Sequence, residues 1–290
     1  MKKAAGKIEI GVIGGSGLYS MEAMKDVREV KVSTPFGAPS DSIITGRIGG
    51  VPVAFLPRHG RGHRLQPSEL PQRANIYALK KLGVRTVLAV SAVGSLREDF
   101  KPRDFVFPDQ LVDKTWGRPS TFFGGGVVAH ATFAHPFCGA LSDLVCRKAR
   151  ELGISSHKGG TLVCMEGPAF STKAESEFHR KMGWDLIGMT ASPEAKLARE
   201  AAMCYCPIAL VTDYDAWKEG EEVTAAMVME TFAHNIAKVK ELLAAVIPQL
   251  SGRTSSCACG AGMRNSMLTA KNVIPKAALK KLSLILDQPA

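Results

Sequence analysis

Residues 11–20 read GVIGGSGLYS, a short β-branched run, Val12-Ile13, that passes at once into a glycine-rich turn. A first strand handing over to such a loop is the opening of an α/β chain whose backbone N–H groups grip an anion. Counted from Gly15, the sequence Gly15-Ser16-Gly17-Leu18-Tyr19-Ser20 lacks the third glycine of a dinucleotide fingerprint, and it lacks the Lys-Ser/Thr ending of a triphosphate loop. What remains is a tight turn with exposed N–H groups and the Ser16 hydroxyl, a fit for a small anion.

Outward from this turn, apolar runs rich in β-branched residues alternate with amphipathic stretches. KIEIGVIGG, VPVAFLP, TVLAVSAVGS, DFVFPD, GTLVCMEGP, WDLIGMT and CPIALVTDYD read as strands. Leu141, Leu144, Val145, Cys146, Ala149 and Leu152 follow helical spacing up to Gly153, a plausible stop. Thr172-Lys173-Ala174-Glu175 is a capping box for a helix closed by Gly183, and Ser192-Pro193 reads as cap and first turn of the next. A long amphipathic helix is expected over residues 223–250, with Met227, Phe232, Ile236, Val239, Leu243 and Val246 on its apolar face. The class is α/β with a buried central sheet between helices. One domain is expected over residues 1–250, followed by a tail, 251–290, with a Cys-x-Cys pair and a short basic helix that could dock on a neighbour.

The chain has 290 residues, 46% hydrophobic and 22% charged, enough for a sizeable core. Its formal net charge of +10 raises nucleic-acid binding, but the lysines and arginines are scattered in short pairs rather than gathered with aromatics. A solvated basic surface that favours anionic ligands accounts for them, so nucleic acid is not expected as a partner. Gly6, Lys7 and Glu9 break any apolar signal core after the basic beginning, and no run reaches the ~18 to 20 residues of a membrane span. A cytoplasmic protein without membrane attachment is expected. Seven cysteines include no Cys-x-x-Cys pair, so no metal is expected and most should be reduced core thiols; Cys257 and Cys259 could be a disulfide or two free thiols.

Other strand ends carry polar groups where ligands of open α/β sheets gather. LPRHGRGH presents Arg58 and His59, SAVGS presents Ser91-Ala92, and LIGMT presents Met189-Thr190. Asp213 and Asp215 close another strand, on one face if the chain stays extended; two acids in a partly dry site raise each other's pKa.

Taken together, GVIGGSGLY, STPFGAPSD, LPRHGRGH, RANIYALKKLG, SAVGSLRE, PDQLVDKT, EGPAFSTKAES, IGMTASPEAKLAREA and VTDYDAWKE resemble the methylthioadenosine phosphorylases, within the trimeric purine nucleoside phosphorylase superfamily. The resemblance covers about residues 10–250. It implies a three-layer α/β/α fold with a central mixed β-sheet, a homotrimer or dimer of trimers, and inorganic phosphate as a co-substrate with no cofactor or metal. By the same resemblance, Ser16, Arg58, His59, Ser91, Ala92 and Thr190 would bind phosphate. Met189 would lie against the ribose, Phe170 by the purine, and Val228 and Met229 around the methylthio group. His130 would reach the 5' end of a neighbour's nucleoside. Asp213, with Asp215 behind it, would donate a proton to purine N7 and accept from the 6-amino group.

Gly188 and Ala169 depart from the pattern, GMT being nearer the GMS of 6-oxopurine phosphorylases. The implied reaction is phosphorolysis of 5'-methylthioadenosine to adenine and 5-methylthioribose 1-phosphate, in purine and methionine salvage. A broader purine nucleoside phosphorylase and a non-catalytic nucleoside- or nucleic-acid-binding protein stand as alternatives.

Overall fold

A computed structural model of the chain describes residues 7–15, 17–18, 21–220, 223–252 and 257–286. Among them eleven strands form one mixed sheet. Its spine is β5 (Thr86–Ser95), an apolar run whose two faces are both covered. One edge of β5 is taken along its length by β11 (Cys204–Asp213), parallel from Cys204 opposite Thr86 to Asp213 opposite Gly94. The other edge is shared. β1 (Ile10–Gly14) runs parallel to it from Ile10 opposite Thr86 to Ile13 opposite Ala89, and β10 (Leu186–Gly188) pairs antiparallel at Ser95 and Gly94. Between these partners β5 has a free edge at residues 90–93, a switch point of the kind that receives ligands in α/β sheets.

Beyond β1 the sheet continues through β4 (Val51–Pro57), β3 (Ile43–Ile48) and the exposed edge strand β2 (Met24–Val30). Beyond β10 it continues through β9 (Thr161–Met165) to β7 (Gln110–Lys114), and beyond β11 through β6 (Phe105–Phe107) to β8 (Ser156–Lys158).

Alternation along the central strands sorts side chains to two faces. Val12, Phe55, Leu88, Val90, Ile208 and Leu210 face α2 (Gly139–Glu151) and α5 (Ala225–Leu250), packing on Leu141, Val145, Val239 and Leu243. Ile13, Leu56, Val87, Ala89 and Tyr205 face α1 (Gln72–Leu82), α4 (Ala191–Glu200) and α6 (Lys276–Leu286). The result is the three-layer α/β/α arrangement with a mixed sheet. The segment after α5 packs on the chain's own body: Ile274, Ala278, Leu282 and Ile285 join the core of Tyr77 and Phe122.

The capping box at Thr172 opens α3 (Lys173–Lys181), with Thr172 Oγ1 accepting from the Glu175 N–H and the Glu175 carboxylate accepting from the Thr172 N–H. Gly153 and Gly183 take positive φ just past α2 and α3, as their stop roles require. Ser192 departs from its expected part. Its backbone is extended, but its hydroxyl donates to Asp113 Oδ2 at 2.6 Å instead of capping the helix. The apolar face expected of α5 holds from Phe232 onward, with Phe232 and Ile236 packed against the core and Val239, Leu243 and Val246 buried in it. Its first turns stand clear of the core, with Met227 and Met229 exposed.

Candidate active site

The free edge of β5 opens into a cavity of about 680 Å³, a size suited to a small organic ligand. Val90, Ser91, Ala92, Val93 and Gly94 form its floor. Ser91-Ala92 does not stand at a strand end as expected: β5 continues to Ser95, and what exposes the pair is the change of partner from β1 to β10.

One end of the cavity is basic. β4 stops at Pro57, and Arg58 and His59 follow it to the wall, with Gly15 beside them. Ser16 lies outside the described residues. Arg58 is buried, its Nε and Nη2 donating to the two oxygens of Glu194 at 2.9 Å and its Nη1 to the Val90 carbonyl at 2.7 Å. Tyr205 Oη also donates to Glu194, at 2.7 Å. Three of the five guanidinium N–H groups are thus engaged, and the bidentate fork expected for an anion is taken by a carboxylate. The remaining two N–H groups are what Arg58 can offer the cavity. His59 Nδ1 is 2.8 Å from the Leu65 carbonyl, so it carries the hydrogen there and Nε2 has its lone pair free. Burial pushes the His59 pKa down to about 4, with Arg58 and His63 adding repulsion. Thr190 reaches the same region as the residue before α4.

The other end is acidic. A bulge in β11 between Val211 and Asp213 turns Asp213 to the cavity beside Gly94. Asp213 Oδ2 accepts from the Thr212 hydroxyl at 2.7 Å and Oδ1 from the Asp215 N–H at 2.8 Å. Burial pushes its pKa up, the nearby Asp215 charge adds to that, and the two hydrogen bonds oppose it. The expectation that both acids share the face of one extended strand fails. The strand ends at Asp213, and Asp215 takes φ of 51° in the left-handed region. Both still line the cavity, Asp215 with a buried Oδ2 that has no hydrogen-bond partner.

Gly94 permits this approach. A Cβ there would stand 2.9 Å from Asp213 Oδ1 and 2.9 Å from Ile187 Cγ2, so any side chain would displace the carboxylate.

Met189, Phe170 and Pro168 close one side, and Ala225, Val228, Met229 and Phe232 from the start of α5 close the other. Of the residues expected in the site, Arg58, His59, Ser91, Ala92, Thr190, Met189, Phe170, Val228, Met229, Asp213 and Asp215 share this cavity. His130 does not. It is exposed, in a loop tied by its N–H to the Ser266 carbonyl.

Several residues escaped the sequence reading. Glu194 looked like a helix-dipole acid in the first turn of α4, and only its complete burial against Arg58 shows otherwise. Phe232 packs against the core as its helical spacing indicates, and it also lies on the cavity wall, a role that spacing does not show. Arg118, in a loop without motif, donates to the carbonyls of Met189 at 2.7 Å, Ser192 at 3.0 Å and Glu166 at 2.6 Å, and pairs with the Glu166 carboxylate. It locks the β10–α4 turn that presents Met189 and Thr190.

A cavity at a sheet switch point, basic at one end and acidic at the other, accompanies a family match over most of the chain. The chain belongs to the phosphorylase superfamily, whose family model matches residues 9–248. Within it, the chain is similar to the S-methyl-5'-thioadenosine phosphorylase of Gloeobacter violaceus, 51% identical over 96% of this chain and 94% of that protein. It is also similar to the crystal structure of a methylthioadenosine phosphorylase from an Antarctic soil metagenomic library, with a TM-score of 0.92, 45% identity and coverage of 96% and 98%. A methylthioadenosine phosphorylase from Schistosoma mansoni in complex with adenine follows at a TM-score of 0.86, 39% identity and coverage of 91% and 100%.

Proposed function

We propose that the protein catalyses phosphorolysis of 5'-methylthioadenosine, giving adenine and 5-methylthioribose 1-phosphate. The observation that carries this reading is the polarity of one cavity: Arg58, His59 and Thr190 at one end, and the buried Asp213 with its raised pKa at the other. Phosphate would be held by Ser16, Arg58, Ser91, Ala92 and Thr190, and by His59, whose Nε2 lone pair would accept from the protonated oxygen of hydrogen phosphate. The ribose would lie over Met189, with the purine reaching Phe170 and Asp213.

As the glycosidic bond breaks, the ribose gains positive charge and the base gains negative charge. The held phosphate stabilises the first and attacks the anomeric carbon. Neutral Asp213 would relieve the second by giving its proton to purine N7. Asp215 Oδ2, buried without a partner, would accept from the 6-amino group of adenine. A 6-oxo group there would set one acceptor against another, which disfavours inosine-type substrates. Val228, Met229 and Phe232 offer an apolar wall for the methylthio group.

In this reading the active species is a homotrimer or dimer of trimers in the cytoplasm, with His130 completing a neighbour's pocket. No helix of the described residues is long and apolar enough to cross a membrane.

The test is adenine release from methylthioadenosine with and without phosphate, beside adenosine and inosine at equal concentration. Phosphate-dependent release that favours methylthioadenosine is expected. Release without phosphate would make the protein a hydrolase, and release mainly from inosine would overturn the role of the acidic end.

A further inference from the structure

Four cysteines remote in sequence meet at one point. Cys138 stands before the first residue of α2, Cys204 opens β11, and Cys257 and Cys259 come from the segment after α5. Their four sulfurs all lie within 4.8 Å of one another, with Cys204 Sγ and Cys257 Sγ at 3.3 Å. A tetrahedral Zn²⁺ with bonds of ~2.3 Å spaces its sulfurs by about 3.8 Å, so the cluster has the dimensions of such a shell. Cys138, Cys204 and Cys259 are buried and Cys257 is half-buried, which leaves one side for entry.

No carboxylate or imidazole belongs to the cluster, and an all-sulfur tetrahedral set selects soft metals.

We propose that Cys138, Cys204, Cys257 and Cys259 bind one Zn²⁺ as a structural tetrathiolate site that fastens the C-terminal segment to the α/β body. Binding forms four Zn–S bonds, the thiol protons leave to water, and no group changes oxidation state. The expectation of no metal rests on the lack of a Cys-x-x-Cys pair. Here three separate segments supply the ligands, a set that only the fold assembles.

The site opens the same strand that Asp213 closes, some ~30 Å away at 3.3 Å per residue, so the metal takes no part in the chemistry. Its consequence is mechanical. It anchors the segment that carries Ile274, Ala278, Leu282 and Ile285 into the second core.

Full-length protein, expressed with zinc in the medium and purified under reducing conditions without chelator, is assayed for metal by mass spectrometry. The reduced, metal-stripped protein is then titrated with Co²⁺. About one zinc per chain is expected, with the intense visible bands and sulfur-to-metal charge transfer of tetrahedral thiolate cobalt. Cys257→Ser and Cys259→Ser should lose the metal and the bands, while Cys146→Ala, outside the cluster, keeps both. Chelation should lower the melting temperature yet leave turnover at 25 °C within about twofold.

Two results would overturn the proposal. One is a wild-type chain without zinc that gives no thiolate cobalt spectrum while its four thiols remain open to alkylation. The other is an unreduced intact mass lighter by four hydrogens, which assigns the same cysteines to disulfides. The wild-type cobalt spectrum decides the matter even if the serine variants fail to fold.

Discussion

Glu194 closes on Arg58 through two hydrogen bonds of 2.9 Å, with both side chains withdrawn from solvent. Burial alone would lower the guanidinium pKa, but the Glu194 charge and its hydrogen bonds more than offset this and raise it. The glutamate therefore keeps a buried arginine charged and aimed, and limits what the arginine can give a ligand to its two outer N–H groups.

Glu194→Ala would leave that arginine as an unpaired buried cation. A loss of about 3–5 kcal/mol is expected from such a break. Urea unfolding of the variant beside the wild type measures it, and a loss below ~1 kcal/mol would show that the pair does not hold the site together.

His59 titrates with a definite sign. Its folded pKa, about 4, lies below the ordinary value of 6.5, so between these pH values the unfolded chain binds the proton and the native protein does not. Its contribution to stability is complete above pH 6.5 and is lost as pH falls towards 4. His59→Gln should flatten stability against pH in that window by on the order of 1 kcal/mol, read from unfolding midpoints at pH 7 and pH 5. Identical pH dependence in the two proteins would contradict the burial of His59.

Gly94→Ala tests the close approach of β5 to Asp213. The added carbon would fall 2.9 Å from Asp213 Oδ1, so the carboxylate must move. Misplacing such a group by about 1 Å costs on the order of 10²-fold in rate. Steady-state kinetics should show kcat falling far more than thermal stability, for which overpacking of ~1–3 kcal/mol is the expected scale. Unchanged kcat would mean that the carboxylate position is not critical.

Much of this fold is legible in the sequence because its central strands are unbroken apolar runs and its helices carry local punctuation, as at Thr172 and Gly153. The edge strand β2, MKDVREV, is not, since it lies exposed and shows no clean alternation. The candidate site divides in the same way. Residues beside a strand or glycine turn, such as Arg58 and Asp213, are visible as residue types in a pattern. Glu194 acts on Arg58, 136 positions away, and Arg118 acts through partners 48 or more positions away, and the four cysteines meet only after folding. The turn of Asp215 into positive φ also defeats a period-two reading, which assumes an extended chain.

In the proposed reaction the acidic end of the cavity both protonates and selects the base. The ratio of kcat/KM for methylthioadenosine to that for its 6-oxo counterpart, methylthioinosine, is to be measured in the wild type, in Asp213→Asn and in Asp215→Asn. Asp213→Asn should lower kcat/KM for methylthioadenosine by about 10²–10⁴. Asp215→Asn should drop the ratio at least ~10-fold, because an amide can donate to a 6-oxo group where the Asp215 carboxylate cannot. A ratio that stays the same in Asp215→Asn, whatever happens to the individual rates, would contradict the assignment of Asp215 to the 6-amino group.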